Sequence, residues 1–171
     1  MTYFVTGATG FIGRYLVQSL LQKGKGTIYV LVRPKSIGKL DELREFWGKD
    51  SLKRVVPIKG DLGQARLGVS KADLTRLKGK VKHFYHLGAV YDIEASAETM
   101  KKANIVGTQG ALDLAAAVNA GCFHLVSSIA AAGLYRGTFT EDMFEEAESL
   151  EHPYHSTKHD SEGMVRANGR I

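Results

Sequence analysis

The sequence predicts an α/β fold in which helices cover both faces of a doubly wound parallel sheet. Short segments rich in Val, Ile, Phe and Tyr alternate along the chain with longer segments of helical period. No repeat or linker interrupts the alternation, and 171 residues suffice for one domain with its own core. Alternating strands and helices form parallel pairs through right-handed crossovers. Ligands are therefore expected at the carboxyl ends of the strands.

The strands and helices can be placed along the chain. The segments predicted as buried strands are TYFV (2–5), TIYVLV (27–32), RVVPI (54–58), VKHFYHL (81–87) and CFHLVSS (122–128). The segments predicted as helices are 11–23, 37–47, 70–78, 104–120 and 154 to about 168. Apolar residues at 12, 16, 17, 20 and 21 give the first helix one apolar face. Pro153 suits the first turn of the last helix, where its missing N–H is not needed.

Composition and charge narrow the class of protein. Hydrophobic residues at 44% and charged residues at 24% are ordinary for a globular chain. The longest weakly polar segment, Cys122–Tyr135, is too short and too polar to span a bilayer. No signal peptide is predicted, and the single Cys122, expected in the core, cannot form an internal disulfide, so a cytoplasmic location is expected. The net charge of +5 suits an anionic small molecule or a solvated basic surface, and no nucleic-acid partner is predicted.

The segment VTGATGFIG places Gly7, Gly10 and Gly13 between the first strand and the first helix. Glycines there allow a tight turn, close approach of backbone to a pyrophosphate and close packing of helix on strand. The intervening residues of this predicted cofactor site are Thr9, Phe11 and Ile12. The turn indicates a Rossmann-type sheet, and its G-x-x-G-x-x-G spacing resembles the short-chain dehydrogenase/reductase superfamily.

Arg33 ends the second strand twenty residues after Gly13, where dinucleotide-binding folds place the group that contacts the adenosine ribose. An acidic residue would accept a hydrogen bond from the 2′-hydroxyl of NAD, whereas arginine can pair with the 2′-phosphate of NADP. No Asp or Glu occurs between Gly7 and Asp41. We therefore predict NADP(H), the alternative being that Arg33 is only a charged strand end.

Two further segments are expected to contact the same cofactor. In the resembled superfamily the acidic residue after the third strand, here Asp61, contacts the adenine amino group, and its neighbour Leu62 packs on the ring. Small residues in HLGA let the backbone at Leu87, Gly88 and Ala89 approach the pyrophosphate and the nicotinamide ribose. His86 in the same segment is predicted to be a packed histidine.

Tyr154 and Lys158 are four residues apart and share one face of the last predicted helix. A carbonyl that receives hydride needs a proton donor, and a tyrosine with a reference pKa of about 10 donates readily only if its phenolate is stabilised. The lysine ammonium supplies that charge and can also bond the nicotinamide ribose. The pair matches the Y-x-x-x-K signature of the superfamily, which makes Tyr154 the predicted acid.

Ser128 and Asn104 complete the predicted site. In the extended branch of the superfamily a Ser or Thr at the end of the fifth strand binds the substrate oxygen, and five residues before Gly133 is Ser128. Ser127 is expected instead to satisfy backbone groups. Asn104 matches a position that supports the active site and is expected among the cofactor-binding residues, and it is also well suited to cap a helix.

The segments VLVRP, YHLGAVYD and GDLGQARLGVSKADLTRL (60–77) narrow the resemblance to the thioester reductases. These comprise fatty acyl-CoA reductases and the terminal reductase domains of carboxylic acid reductases and peptide synthetases. The match is looser in YDIEASAETMKKAN (91–104). The likeness implies an NADPH-dependent reduction of an acyl thioester to aldehyde or alcohol. The alternatives are a nucleotide-sugar epimerase or dehydratase, a 3-beta-hydroxysteroid dehydrogenase-like enzyme, and a non-catalytic NADP-sensing protein.

The segment HPYHSTKHD (152–160) also contains histidines that could suggest a metal. His155 and His159 share a helical face, but a zinc site needs a third or fourth ligand and an acidic partner for its ligands, and Cys122 and His152 are poor candidates for the further ligands, so no metal site is predicted. Both are expected on the helix flank, facing solvent or a partner subunit. Because the sequence stops 13 residues after Lys158, the chain is expected to lack the C-terminal substrate-binding part of an extended reductase.

Overall fold

The computed structural model of the protein describes residues 1–90 and 94–169. The first three residues of the looser segment 91–104 therefore lie outside the described residues. Five parallel strands form one sheet in the order β3-β2-β1-β4-β5. The strands are β1 (Tyr3–Thr6), β2 (Ile28–Val32), β3 (Val55–Lys59), β4 (His83–His86) and β5 (Cys122–Leu125). The predicted Rossmann-type sheet is confirmed.

The helices alternate with these strands along the chain, as predicted, and the last helix follows β5. They are α1 (Phe11–Lys23), α2 (Lys39–Trp47), α3 (Ser51–Arg54), α4 (Lys71–Leu77), α5 (Ala97–Met100), α6 (Gly107–Ala117) and α7 (Pro153–Asn168). The one-turn helix α3 was not predicted. A π-helical segment, Lys101–Val106, joins α5 to α6. The helix predicted to begin at residue 104 thus begins at Ala97, where the Ser96 side chain caps it by accepting from the Thr99 amide.

Strand alternation divides the core into two clusters on opposite faces of the sheet. In β1, Phe4 belongs to one cluster, and Tyr3 and Val5 belong to the other. The Phe4 cluster is covered by α4 and α6, and the Tyr3 and Val5 cluster by α1 and α2. Helices therefore cover both faces of the sheet.

The first half of the sheet and the second half meet at β1. This strand pairs with β2 on one side and β4 on the other, so the strand order reverses there. Connections leave β1 and β4 in opposite directions at such a point and open a crevice at the carboxyl ends of the strands. Among the described residues, no helix has the length and apolar character that crossing a membrane requires.

Candidate functional site

A cleft of about 720 Å³ lies at the carboxyl ends of the strands. It brings together every predicted site residue except Asn104. The predicted residues that line it are Gly7, Thr9, Gly10, Phe11, Ile12, Gly13, Arg33, Asp61, Leu62, Leu87, Gly88, Ala89, Ser128, Tyr154 and Lys158. Sequence reasoning did not find Ser36, Thr99 or Lys102, which also line the cleft.

The turn between β1 and α1 requires its glycines for steric reasons. Gly7 has a φ of +70°, and a Cβ there would lie 2.9 Å from the Gly88 nitrogen. A Cβ at Gly13 would overlap the carbonyl oxygen of Gly7. The start of α1 has no side-chain cap and no acidic residue in its first turn. Its free N–H groups and helix dipole fit a pyrophosphate, as the sequence predicted.

Charged side chains around the cleft favour an anionic ligand. Arg33 at the end of β2, Lys102 in the π-helical segment and Lys158 in α7 are basic, whereas Asp61 is acidic. Arg33 is exposed, and its guanidinium is therefore accessible to a ligand in the cleft.

The segment after β3 forms part of the wall of the cleft. The Asp61 carboxylate accepts a hydrogen bond of 2.9 Å from the Gly63 amide. Leu62 packs so closely on Gly88 that a Cβ at Gly88 would lie 2.9 Å from its side chain. The packing fixes the spacing between the turn after β3 and the end of β4.

Ser128 and Tyr154 face each other across the cleft. The Tyr154 hydroxyl lies 3.5 Å from Ser128 Oγ and is the donor of the pair. Ser128 Oγ also accepts a 3.2 Å hydrogen bond from the Ala130 amide, which places it at the start of a short 3₁₀ segment, Ile129–Ala132. Tyr154 lies in the first turn of α7, after Pro153 at the predicted N-terminal position. Two hydroxyl groups can thus reach one substrate oxygen.

Lys158 lies one turn after Tyr154 and is only 4% exposed. Its ammonium donates a 3.1 Å hydrogen bond to the carbonyl of Val126 at the end of β5. Burial lowers the pKa of Lys158, and the nearby Glu162 carboxylate partly opposes that shift. The cation is thereby held at the strand end that leads to Ser128.

Two side chains near Ser128 differ from their predictions. Ser127 was expected to satisfy backbone groups, but its hydroxyl donates to the Glu162 carboxylate on α7. His159 was expected to face solvent or a partner subunit, but its ring stacks on Phe144 at 4.1 Å and Nδ1 lies 2.9 Å from the Ala131 carbonyl oxygen. Both contacts attach the chain after β5 to α7. The prediction for His159 was wrong because sequence spacing did not show that residues 129–147 pack against this flank of α7.

His155, expected on the same flank facing solvent or a partner subunit, is half-buried. Its Nδ1 is a buried polar atom with no hydrogen-bond partner among the described residues.

Asn104 lies behind the cleft rather than in its lining. It is 2% exposed and occupies the π-helical segment, so the prediction of a helix cap was wrong. Its side-chain oxygen accepts a 2.8 Å bond from the Val90 amide, and its side-chain nitrogen donates to the Val90 carbonyl and to Thr157 Oγ1. Asn104 thus ties the loop after β4 to α7. The predicted supporting role suits this position, whereas direct contact with a cofactor does not.

Among the described residues, the cluster of side chains whose atoms could hold a metal lies outside the cleft. His83, Cys122 and His124 project from β4 and β5, and their ligand atoms lie within 4.8 Å of one another. Cys122 is half-buried, not a core residue as predicted. A 3.0 Å hydrogen bond between the two imidazoles and the stacking of His124 on Tyr85 account for the ring positions without an ion.

Comparisons with known proteins agree with this geometry. Residues 5–171 match the model of the male sterility protein family. The chain is 35% identical over 173 residues to one of the proteins that form the linear gramicidin synthase of Brevibacillus parabrevis, covering 94% of this chain and 3% of that protein. It is 34% identical over 139 residues to the L-2-aminoadipate reductase large subunit of Penicillium chrysogenum, covering 76% and 10%.

A solved structure gives the same result for the fold. The terminal R domain from the myxalamid PKS-NRPS biosynthetic pathway superposes with a TM-score of 0.85 at 31% identity, covering 97% of this chain and 45% of that chain. The chain therefore spans less than half the length of these relatives. The family model matches nearly the whole chain, and the glycine turn and the Tyr154–Lys158 pair lie in one cleft. The chain therefore belongs to the male sterility protein family, within the extended short-chain dehydrogenases/reductases.

Proposed function

We propose that the protein is an NADPH-dependent reductase of acyl thioesters, carried by coenzyme A or by a carrier protein, that yields an aldehyde or an alcohol. The observation that carries the proposal is the meeting of Ser128 and Tyr154 at 3.5 Å in a cleft that also contains the glycine turn. One end of the cleft suits a dinucleotide, and the other presents proton donors to a carbonyl. A small-molecule substrate is the partner that such a cleft accommodates.

The residues at the end of β2 support NADPH over NADH. Leu31 and Val32 line the cleft beside Arg33, and no carboxylate is present in this part of the sequence to accept from a ribose 2′-hydroxyl. An exposed guanidinium can pair with a 2′-phosphate through two parallel hydrogen bonds. Ser36, one turn further along, adds a hydroxyl to the same wall.

The chemistry at the other end follows from charge that develops on the substrate oxygen. When bound, the cofactor supplies the hydride. As the thioester carbonyl carbon is reduced, its oxygen becomes negative, and the hydroxyls of Ser128 and Tyr154 stabilise that charge. Tyr154 then gives its proton to the oxygen, and the buried Lys158 ammonium favours the phenolate that remains.

The resulting hemithioacetal breaks its carbon–sulfur bond. The sulfur leaves with a proton as the free thiol, and the carbon becomes the aldehyde. A second reduction of the aldehyde to alcohol would take its hydride from a second NADPH and would use the same residues once Tyr154 has regained a proton from solvent, because it again places negative charge on one oxygen. The resemblance of GDLGQARLGVSKADLTRL (60–77) to the thioester reductases supports a thioester as the carbonyl compound, and one of the relatives is itself named a reductase.

The test is NADPH oxidation by the full-length protein with a long-chain acyl-CoA, compared with its Tyr154→Phe variant. We expect the substitution to lower turnover by about 10²- to 10⁴-fold, because it removes the proton donor. Tyr15→Phe is the matched control, since Tyr15 is exposed on α1 and does not line the cleft. Turnover of nucleotide sugars or steroid alcohols but not of thioesters would overturn the substrate class. NADPH binding without any turnover would favour a sensing role.

Cofactor preference is tested separately by Arg33→Ala. We expect about a tenfold or larger loss of NADPH affinity, on the scale of a charge-assisted pair, and little change for NADH. Lys35→Ala is the control, because Lys35 is a neighbouring exposed base outside the cleft. Equal losses for both cofactors would contradict the assignment.

A further inference from the structure

His86 is a buried histidine at the end of β4 that the chemistry above does not use. It is 2% exposed, and both ring nitrogens have hydroxyl partners. Its Nδ1 lies 2.8 Å from Thr6 Oγ1, and its Nε2 lies 3.3 Å from Thr108 Oγ1. The ring therefore bridges β1 and α6 beneath the cleft.

The partners of the two threonines decide which ring nitrogen holds the proton. Thr6 Oγ1 accepts hydrogen bonds from the amides of Leu87 and Gly88, at 3.1 and 3.0 Å. Both lone pairs of that oxygen are then occupied, so its own hydrogen must be donated to His86 Nδ1. The ring hydrogen consequently sits on Nε2.

The other side of the ring is consistent with this direction. Thr108 donates its hydroxyl hydrogen to the Asn104 carbonyl at 2.6 Å. Its oxygen is therefore free to accept from the His86 Nε2 hydrogen. Each hydrogen bond in this series is donated in the same direction, from Thr6 to His86, from His86 to Thr108 and from Thr108 to the Asn104 carbonyl.

This chain of hydrogen bonds joins the two ends of the cleft. At one end, Thr6 holds the amides of Leu87 and Gly88, which line the cleft beside the glycine turn. At the other end, the Asn104 side chain bonds Thr157, the residue before Lys158. The path from β4 to α7 runs through buried side chains, because Thr6, His86, Asn104 and Thr157 are all at most 5% exposed.

We propose that His86 is a positioning residue that, as the neutral tautomer with hydrogen on Nε2, couples the cofactor-facing end of β4 to the helix carrying Tyr154 and Lys158. The proposal rests on the proposed function, since it assigns His86 a role in that same site. His86 touches neither the cleft nor a substrate and acts through Gly88 and Asn104.

The surroundings of the ring favour a neutral imidazole. Burial lowers the pKa of His86 to about 3, and the Lys158 ammonium adds a smaller effect in the same direction. A second proton on Nδ1 would meet the hydroxyl hydrogen of Thr6, whose oxygen already accepts from two amides. The bridge therefore holds only while the ring is uncharged.

The first test measures the tautomer in the native protein by ¹⁵N NMR of labelled histidine. We expect the signals of one histidine ring to show a protonated Nε2 and an unprotonated Nδ1, and to stay unchanged between pH 8 and about pH 5. These signals are assigned to His86 by their loss in His86→Asn. A hydrogen on Nδ1, or a doubly protonated ring in that range, would overturn the proposal. This measurement requires no cofactor, so it stands even if NADPH does not bind.

The second test compares two variants of His86. His86→Phe keeps an aromatic ring, although a larger one, and removes both hydrogen bonds, whereas His86→Asn keeps an acceptor near the position of Nδ1. We expect His86→Phe to weaken NADPH binding about tenfold and His86→Asn to recover part of that loss, because the Thr6 arm is retained. The Thr157 amide resonance should shift in His86→Phe although the substitution is on another element.

The control is His83→Phe, on the same strand but outside the chain of hydrogen bonds. We expect native NADPH affinity and an unshifted Thr157 resonance. Equal NADPH affinity in His86→Phe and the native protein, or an Asn variant as weak as the Phe variant, would show that the ring only fills space. If the native protein binds no NADPH, the proposed function fails, and the Thr157 resonance still decides whether His86 couples to α7.

Discussion

The two ends of the cleft are built differently. The glycine end, comprising the turn Gly7–Gly13, is shaped by backbone, whereas the tyrosine end, comprising Ser128, Tyr154 and Lys158, is held by side chains from distant parts of the sequence. At the glycine end the constraint is that no Cβ fits at Gly7 or Gly13. At the tyrosine end the constraints are hydrogen bonds such as that from Lys158 to the Val126 carbonyl.

The difference determines how each end should respond to substitution. A backbone turn has no side chain to lose, so it fails when atoms are added. A set of side-chain bonds fails when atoms are removed, and it can carry a buried charge at some cost in stability. The glycine end should therefore be most sensitive to substitutions that add a small side chain. The tyrosine end should be most sensitive to substitutions that remove polar atoms, and these should change turnover and stability by different amounts.

The largest effect is expected at Gly13. In Gly13→Ala the new methyl would overlap the Gly7 carbonyl oxygen and lie 2.8 Å from Ala8 Cα, and both are backbone atoms that cannot rotate away. We expect the unfolding free energy to fall by about 1–3 kcal/mol, as in other overpacked sites. NADPH binding should be lost at the same time, because the turn must open to admit the methyl.

Gly38→Ala is the control for Gly13→Ala. Gly38 has a φ of −61° at the start of α2, and a Cβ there would meet nothing within 4 Å. The control should keep its stability or gain up to about 1 kcal/mol through reduced freedom of the unfolded chain. Native stability and NADPH affinity in Gly13→Ala, measured by denaturant titration and binding, would show that the glycine end is not sterically limited.

The same difference explains how much could be predicted from the sequence. At the glycine end, the function of each residue follows from its position between one strand and the next helix, so spacing alone identified Gly7, Gly10, Gly13 and Arg33 as lining residues. Tyr154 and Lys158 could also be predicted to lie side by side, because residues four apart share one face of a helix.

Contacts between distant segments could not be predicted in this way. Ser127 bonds Glu162, His159 bonds the Ala131 carbonyl and Asn104 bonds Thr157, at separations of 28 to 53 residues, and nothing in local composition indicates these pairs. Thr6, Thr108 and Thr157 were overlooked for the same reason, because a threonine in a strand or helix is common and only its buried neighbours give it a role. Residues 126–152, which have no long regular element, form one side of the Ser127 and His159 contacts.

A smaller effect, of opposite sign, is expected from Lys158→Met. The Lys158 ammonium is buried, and its pKa is lowered from the usual 10.5 chiefly by burial, so the charged form costs stability at neutral pH. Replacement by an apolar side chain of similar length should raise the unfolding free energy by about 1 kcal/mol. Turnover should nevertheless be lost, because the phenolate of Tyr154 is no longer stabilised.

The sign of this effect can be checked with pH. A lowered folded-state pKa means that native stability is reduced below that pKa and recovers as pH rises toward 10.5. The advantage of Lys158→Met over the native protein should thus be largest near pH 7 and shrink at alkaline pH in denaturant titrations. A variant less stable than the native protein at pH 7 would show that the Val126 bond outweighs the burial of the charge.

The smallest effect on stability is expected from Ser127→Ala, with Ser128→Ala as its matched comparison. Ser127 donates to Glu162, which is partly exposed and also pairs with Arg166, so water and the arginine can replace the lost bond. We expect Ser127→Ala to lower the unfolding free energy by less than about 1 kcal/mol and to keep nearly native turnover.

The hydrogen-bond partners of Ser128 Oγ among the described residues are the Ala130 amide and Tyr154. Ser128→Ala should therefore cost little stability but lower turnover about 10²-fold. Thermal unfolding and NADPH oxidation, measured on both variants, distinguish the roles of the two hydroxyls. Equal losses of turnover would contradict the assignment of Ser128 as the residue that binds the substrate oxygen. The two serines differ in geometry because Tyr154 lies 3.5 Å from Ser128 Oγ and has no such contact with Ser127.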